Sequence, residues 1–340
     1  MSEAVEAKET IDITALAEKL LEDPVLLRIL EIMVNGREIK PIIHLEKGIE
    51  YPELKNFSEW SEKIEKLIDL KFVEREIVDR VIECPKCGSI HVGTRYKCPS
   101  CNSINMVRTS IIQHITCGYV DTEIRFKRVF EKGKEMLVCP NCGIRLRELN
   151  VDYRILGEIF ECLDCGRRAD RPKIEFICRN CNTTFDILTA NYKPVYKFKI
   201  TEKGIELITS GVLVRKLMFV ALRKAGFETE TNVELKGISG VNHRFDIVIK
   251  SNGTPIISID YRPSSGDETQ VTDLLAHIAK YMDFPGIQYV YVSNKISENV
   301  IRVASSQGIN LVHGGSIEEI INNVLNVVRN IASRILSKKS

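Results

Sequence analysis

The sequence predicts a multidomain α+β protein, and three observations lead to this prediction. Helical periodicity fills much of the first 83 residues, eleven cysteines lie between residues 84 and 181, and helices alternate with strands after residue 212. A chain of 340 residues is also long for a single hydrophobic core. We therefore expect a helical unit at 1–83, a cysteine-rich module of small β-hairpins at 84–190, a connector at 191–211 and an α/β domain with a mixed sheet at 212–340.

The helical unit combines two amphipathic helices with a strand pair. Apolar residues recur at helical spacing over 13–35 and over 58–69, and the segment KFVEREIVDRVIE then alternates apolar and polar residues. This order is typical of a winged-helix-like unit, which either binds DNA through a recognition helix or packs against a partner. Residues 1–83 hold 12 Lys and Arg against 20 Asp and Glu, so packing or a protein partner is favoured.

The cysteine-rich module contains twelve candidate metal ligands in six pairs, each with a two-residue gap. Zinc in a closed structural site takes four such ligands, so the pairs predict three zinc ions and no open catalytic position. Iron–sulfur ligation is the chemical alternative, although those clusters usually have a less regular cysteine pattern. The predicted ligands are Cys84 and Cys87, Cys98 and Cys101, His114 and Cys117, Cys139 and Cys142, Cys162 and Cys165, and Cys178 and Cys181.

The spacing leaves open which pairs share a metal. A sequential scheme joins the first pair with the second, the third with the fourth and the fifth with the sixth, and each set then has zinc-ribbon spacing. An interleaved scheme instead joins the fourth pair with the fifth and the third with the sixth. We favour the sequential scheme.

The C-terminal region predicts an α/β domain. A helix at 212–225 ends at Gly226, and the strand-like segments TETNVEL, HRFDIVI and PIISIDY follow with short turns between them. Two further helices then alternate with the strands IQYVYVS and INLV, which together predict a mixed sheet. The last helix, from about 316 to 336, has a long apolar stripe that either packs on the core or joins two copies of the chain as a homo-oligomer.

Charge and hydropathy limit the possible partners. No apolar stretch is long enough to span a membrane, and the acidic N-terminus lacks the apolar core of a signal peptide, so we expect a cytoplasmic protein with reduced cysteines. Residues 84–199 hold 20 Lys and Arg against 12 Asp and Glu, which indicates an anionic partner, with DNA favoured. Three zinc ions on eleven thiolates would lower this positive charge by about five, so the electrostatic argument is modest.

Several cysteine-containing segments carry a resemblance to a known family. The run CPKCGS, CPSC, IIQHITCGYV, LVCPNCGIRLRELNVDY, CLDCG and CRNC, with the preceding helices, resembles the Thaumarchaeal output domain over about residues 20–190. This resemblance implies a metal-binding output module of archaeal signalling or regulatory proteins. No receiver or sensor pattern accompanies it in this sequence.

A second resemblance covers about residues 212–322. The segment GISGVNHRFDIVIKSNGTPIISIDYR resembles the core of restriction-endonuclease-like nucleases, the PD-(D/E)xK superfamily, and within it the Mrr-type domains. It implies that Asp246 and Asp260 hold Mg²⁺ against the scissile phosphate and that Gln270 belongs to the same site. His243, three residues before Asp246, is either an assisting residue or a hydrogen-bonded strand histidine.

The motif departs from this family at position 262, where Arg262 stands in place of the lysine. Arginine stays protonated at working pH, so it cannot act as a general base, although its guanidinium group can bind a phosphate. We therefore expect weak or absent cleavage. Three functions remain open: a non-cleaving nucleic-acid-associated protein, an active Mg²⁺-dependent DNA endonuclease, and a protein-binding regulatory scaffold of transcription or repair machinery.

Overall fold

The computed structural model describes residues 12–36, 38–131, 133–264 and 271–337. The chain forms two compact units. The first unit comprises Met1–Ile42, Tyr51–Val78 and Tyr196–Ser340, and the second comprises Ile43–Glu50 and Asp79–Val195. Helices and several sheets occur together, which confirms the mixed α+β class. Among the described residues, no helix has the length and apolar character required to cross a bilayer.

The α-helices of the described residues are α1 (Ile13–Glu22), α2 (Pro24–Gly36), α3 (Trp60–Asp69), α4 (Glu202–Thr209), α5 (Val212–Lys224), α6 (Val271–Met282), α7 (Glu298–Ser306) and α8 (Ile317–Ser337). Local signals set several of their ends. The Asp12 side chain accepts hydrogen bonds from the Thr14 and Ala15 amides at the start of α1. Pro24 separates α2 from α1, since proline is tolerated in a first helical turn but not in a helix interior.

The strands of the described residues are β1 (Glu38–Ile39), β2 (Ile42–His44), β3 (Gly48–Glu50), β4 (Val73–Glu83), β5 (Val92–Lys97), β6 (Met106–His114), β7 (Val120–Thr122), β8 (Lys127–Glu131), β9 (Lys134–Val138), β10 (Arg145–Leu146), β11 (Tyr153–Cys162), β12 (Arg168–Ala169), β13 (Lys173–Cys178), β14 (Thr184–Phe185), β15 (Asn191–Ile200), β16 (Glu228–Lys236), β17 (Asn242–Ser251), β18 (Thr254–Arg262), β19 (Gln288–Ser293) and β20 (Asn310–His313). They form sheets of two to five strands. The strand β15 lies between β1 and β4 in a three-stranded sheet.

The first unit contains a five-stranded sheet in the order β16-β17-β18-β19-β20. The first three strands are antiparallel, and β18, β19 and β20 are parallel, with α6 and α7 as the crossovers. One face of the sheet, with Ile247 and Val292, belongs to a hydrophobic core that also includes Leu20 and Leu30 of the N-terminal helices. The N-terminal helices therefore contribute to the same core as the C-terminal sheet.

The second unit is built on two antiparallel ladders. The β5–β13 ladder runs from the pair Val92 and Cys178 to the pair Lys97 and Lys173. The β6–β11 ladder runs from Met106 and Cys162 to His114 and Tyr153. The chain thus goes out through β5 and then β6, and it returns through β11 and then β13.

Candidate metal centres and acid cluster

All six ligand pairs close the same main-chain turn. In the pair that starts at Cys84, the Cys84 amide donates to the Ser89 carbonyl and the Gly88 amide donates back to the Cys84 carbonyl, both at 2.9 Å. The pair that starts at His114 makes the same two hydrogen bonds, so His114 occupies the position in its turn that a cysteine occupies in the other five turns. The fourth residue after each first ligand has a positive φ, which favours glycine or asparagine: Gly88, Asn102, Gly118, Gly143, Gly166 and Asn182.

The twelve side chains form three groups of four, and within each group the ligand atoms lie within 4.8 Å of one another. Such groups could each hold one zinc ion. The first ligand of every pair is buried. The outer group is Cys84, Cys87, Cys178 and Cys181; the middle group is Cys98, Cys101, Cys162 and Cys165; the inner group is His114, Cys117, Cys139 and Cys142.

This grouping is nested along the chain. The sequential scheme is right for the inner group and wrong for the other two, and the interleaved scheme is wrong as well. The reason is the antiparallel pairing, in which an early residue of the outgoing strand meets a late residue of the returning strand. Cys98 directly follows β5 and Cys162 ends β11, so the middle group lies where the two ladders adjoin.

The sulfur positions fit zinc and exclude disulfides. Distances between thiol sulfurs of different pairs are 3.7 Å for Cys84 and Cys181, 3.7 Å for Cys98 and Cys165, and 3.7 Å for Cys117 and Cys139. A tetrahedral zinc ion with ligands at about 2.3 Å places its sulfurs about 3.8 Å apart, whereas a disulfide needs about 2.05 Å. In the inner group His114 presents Nδ1, at 3.0 Å from the Cys117 sulfur.

In each group, hydrogen bonds to sulfur favour the thiolate form of one cysteine. The pKa of Cys98 is lowered to about 6, chiefly by the Cys101 amide, and that of Cys117 to about 6, chiefly by the Tyr119 amide. The pKa of Cys181 is lowered to about 6, first by its hydrogen bond with the Thr183 side chain. The pKa of Cys87 is instead raised to about 11, that of Cys101 to about 12, and that of Cys139 is raised as well. Neighbouring sulfurs do not all ionise together in the absence of a cation, and a bound cation would favour the thiolate form of all of them.

We expect the purified chain to contain about three zinc ions, since each group supplies a complete tetrahedral set. Elemental analysis after gel filtration measures the ratio. His114→Ala should lower the content to about two zinc ions, because the inner group then retains three ligands. His91→Ala is the matched control, since His91 belongs to none of the groups, and it should retain all three. One zinc ion or fewer in the unmodified chain would contradict the assignment.

In the first unit, the structure brings Asp246 and Asp260 together where the β17–β18 ladder ends. The last paired residues are Ile247 and Ile259, and beyond them side chains replace the ladder bonds. The Asp246 amide donates to Asp260 Oδ1 at 2.9 Å, and the Tyr261 amide donates to Asp246 Oδ2 at 2.8 Å. Each carboxylate therefore holds the main chain of the opposite strand.

Asp260 is fully buried and has several further partners. Its Oδ2 accepts hydrogen bonds from the Lys280 ammonium group and from the Tyr289 hydroxyl, the latter at 2.7 Å. Burial raises the pKa of Asp260, but the nearby His277 Nδ1, at 3.5 Å, and the charge of Lys280 outweigh burial and hold this pKa well below its usual range. Asp260 is thus a charged carboxylate neutralised by a lysine.

Arg262 lies against the other acid. Its Nη1 donates to Asp246 Oδ2 at 3.2 Å, and its Nε donates to His277 Nε2 at 3.1 Å. His277 Nε2 must be unprotonated to accept, so its Nδ1 carries the hydrogen and donates to the Tyr289 oxygen at 2.6 Å. Asp246, like Asp260, is therefore paired with a cation of the protein.

Gln270 and His243 are the two remaining residues that the sequence placed near the motif acids. Gln270 lies outside the described residues. His243 Nε2 lies 2.9 Å from an Asp283 carboxylate oxygen and contacts neither motif acid. Of its two expected roles, His243 therefore has that of a hydrogen-bonded strand histidine. The sequence did not predict a role for His277 and Lys280. These two polar residues lie three positions apart among the apolar positions of α6, and that pattern could have identified them.

A family model described as Thaumarchaeal output domain 1 matches residues 18–200, just over half of the chain. No curated protein matches the sequence. The match confirms the first of the two resemblances, which the cysteine-containing segments indicated over about residues 20–190.

Similar solved structures include a protein of unknown function, AF1548 (25% identity, 32% of this chain, 58% of that chain, TM-score 0.25). Protein VC1899 from Vibrio cholerae is also similar (14% identity, 40% of this chain, 38% of that chain, TM-score 0.30). A repair endonuclease from Pyrococcus abyssi has 11% identity, with 74% of this chain and 93% of that chain covered and a TM-score of 0.20. The chain spans less than two thirds of the length of the first two, and similarities this weak carry no functional argument.

Proposed function

The chain belongs to the Thaumarchaeal output domain 1 family. From its three ligand groups, its basic residues 84–199 and its paired motif acids, we propose that it is a zinc-binding protein that associates with nucleic acid without hydrolysing it. Three closed zinc sites, as in zinc ribbons, hold the second unit together. The first unit keeps the strands and acids of an Mrr-type nuclease without its chemistry. DNA is the favoured partner, and the cytoplasm is the expected location.

One observation carries this proposal: both motif acids are already paired with cations of the protein. Lys280 donates to Asp260, and Arg262 donates to Asp246. These contacts engage Oδ2 of each acid, so a magnesium ion that used these oxygens would have to displace Lys280 and Arg262. Arginine stays protonated and cannot take a proton from the attacking water. Hydrolysis at this site would therefore require a metal ion that displaces these two contacts and a general base other than Arg262.

The N-terminal helices support a finer proposal, a winged-helix-like arrangement formed by α1, α2 and α3 with the sheet β1-β15-β4. In such an arrangement α3 takes the position of the recognition helix. Its sequence WSEKIEKLID carries three acidic and two basic residues, so this helix suits a protein partner better than DNA.

We expect no cleavage of single- or double-stranded DNA by the zinc-loaded full chain in Mg²⁺ or Mn²⁺. The same chain should bind both DNA forms at low salt, and the affinity should fall as salt rises, because phosphate contacts release counterions. Gel electrophoresis of end-labelled DNA and fluorescence anisotropy measure the two properties.

Two results would count against the proposed function. Metal-dependent cleavage that is abolished by both Asp260→Ala and Asp246→Asn, but retained by Glu230→Ala on the neighbouring strand β16, indicates an active nuclease. Absence of DNA binding even at low salt indicates instead a protein-binding scaffold of transcription or repair machinery.

A further inference from the structure

Two arginine side chains converge on one carbonyl oxygen at the end of β18. The Tyr261 carbonyl accepts a hydrogen bond from Arg262 Nη1 at 2.9 Å and from Arg215 Nη1 at 3.4 Å. Arg262 comes from the end of the strand, and Arg215 comes from the first turn of α5. The two guanidinium groups are therefore neighbours.

The charges around this pair do not balance. Asp260 is neutralised by Lys280, which leaves Asp246 as the acid that contacts the arginines among the described residues. Asp246 lies 3.2 Å from Arg262 Nη1 and 4.0 Å from Arg215 Nε. Two guanidinium groups share one carboxylate, so the described residues of the cluster carry one net positive charge. Like charges at close range raise the free energy of the site, and a bound anion lowers it.

Both guanidinium groups are held in place while part of each stays accessible. Arg262 Nε donates to His277 at 3.1 Å, and Arg215 Nη2 donates to the Ser210 carbonyl at 2.9 Å. Among the described residues, none accepts a hydrogen bond from Arg262 Nη2. The side chains are 41% and 27% exposed for Arg262 and Arg215, so solvent reaches the pair. A fork that is already oriented loses little entropy when it binds a planar or tetrahedral oxyanion.

We propose that Arg215 and Arg262 together bind one phosphate group. This inference rests on the proposed function when the phosphate belongs to a nucleic acid backbone, and it then identifies one contact of that interface. A free phosphate or a phosphate monoester offers the same oxygens to the same two guanidinium groups. Arg262 stands in place of the motif lysine and cannot act as a general base, but in this proposal it binds a phosphate.

The test compares three arginine variants of the zinc-loaded full chain. Arg262→Gln and Arg215→Gln should each weaken binding of a labelled DNA 20-mer by roughly tenfold and lower the slope of log affinity against log salt by about one. Arg223→Gln, on the exposed side of the same helix α5, is the matched control and should change neither quantity. Arg262→Lys keeps the charge without the fork and should lie between Arg262→Gln and the unmodified chain.

A parallel titration with inorganic phosphate distinguishes the sources. Loss of phosphate binding in Arg262→Gln, with DNA binding unchanged, assigns the site to free phosphate or a monoester. If the unmodified chain binds phosphate but no DNA, the site stands and the proposed function fails. If Arg262→Gln, Arg262→Lys and Arg215→Gln melt at the temperature of the unmodified chain and bind both probes equally well, the phosphate site is wrong.

Discussion

Replacement of Cys178 and Cys181 by serine should remove one zinc ion per chain, and further replacement of Cys84 and Cys87 should remove no more. Both pairs belong to the outer group, so the second change acts on a site that has already lost its metal. The double and the quadruple variant are each expected to retain about two zinc ions, since the other two groups keep complete tetrahedral sets.

A second quadruple variant is the matched control, because it also lacks four cysteines. Replacing Cys98 and Cys101 together with Cys178 and Cys181 takes one pair from each of two groups, so this chain should retain about one zinc ion. Native mass spectrometry counts the bound ions directly. Sequential pairing instead predicts about one zinc ion for both quadruple variants, and equal counts of about one would overturn the nested assignment.

The parts of a metal site that depend on residues close together in the chain could be predicted from the sequence. The two-residue gap and the glycine that follows four of the six pairs predict the turn, and His114 could be recognised because it has the same spacing to Cys117 and Gly118. Which pairs meet is set by ladders that join residues far apart, such as Val92 and Cys178. Spacing within the sequence contains little of that information, because loop closure depends only weakly on loop length.

The acid cluster also combines contacts that the sequence predicts with contacts that depend on tertiary packing. Asp246, Asp260 and Arg262 lie on a hairpin whose alternation can be read from the sequence, so their proximity could be expected. Lys280 reaches Asp260 from α6, a contact that depends on how the helix packs on the sheet. The sequence therefore indicated that a lysine was missing from the motif, but not that another lysine neutralises the acid.

Replacement of Lys280 by methionine should destabilise the first unit by about 3–5 kcal/mol, because it leaves a buried carboxylate without its counterion. Lys280 is nearly buried, donates to Asp260 and to the Arg244 carbonyl, and lies with its ammonium nitrogen 3.9 Å from the centre of the Phe245 ring. Methionine keeps much of the apolar stem but none of the charge. Urea unfolding followed by the fluorescence of Trp60, the single tryptophan and a residue of this unit, measures the change.

Two further variants separate charge from packing. Lys203→Met changes an exposed lysine of α4 and should alter stability by less than about 0.5 kcal/mol. Asp260→Asn combined with Lys280→Met removes both charges, so its loss should be clearly smaller than the sum of the two single losses. Strictly additive losses would mean that the two side chains do not interact.

The pH dependence follows from the direction of the Asp260 shift. A carboxyl group whose folded-state pKa is lowered adds stability above its unfolded pKa of about 4, and this stability is lost as the pH falls toward the folded pKa. Without Lys280 the pKa of Asp260 rises, so the variant can bind a proton there and relieve its uncompensated charge. The difference in unfolding free energy between the unmodified chain and Lys280→Met should therefore narrow as the pH falls from the raised pKa of Asp260 in the variant toward its lowered pKa in the unmodified chain. A difference that stays constant with pH would assign the loss to packing and not to the neutralisation of Asp260 by Lys280.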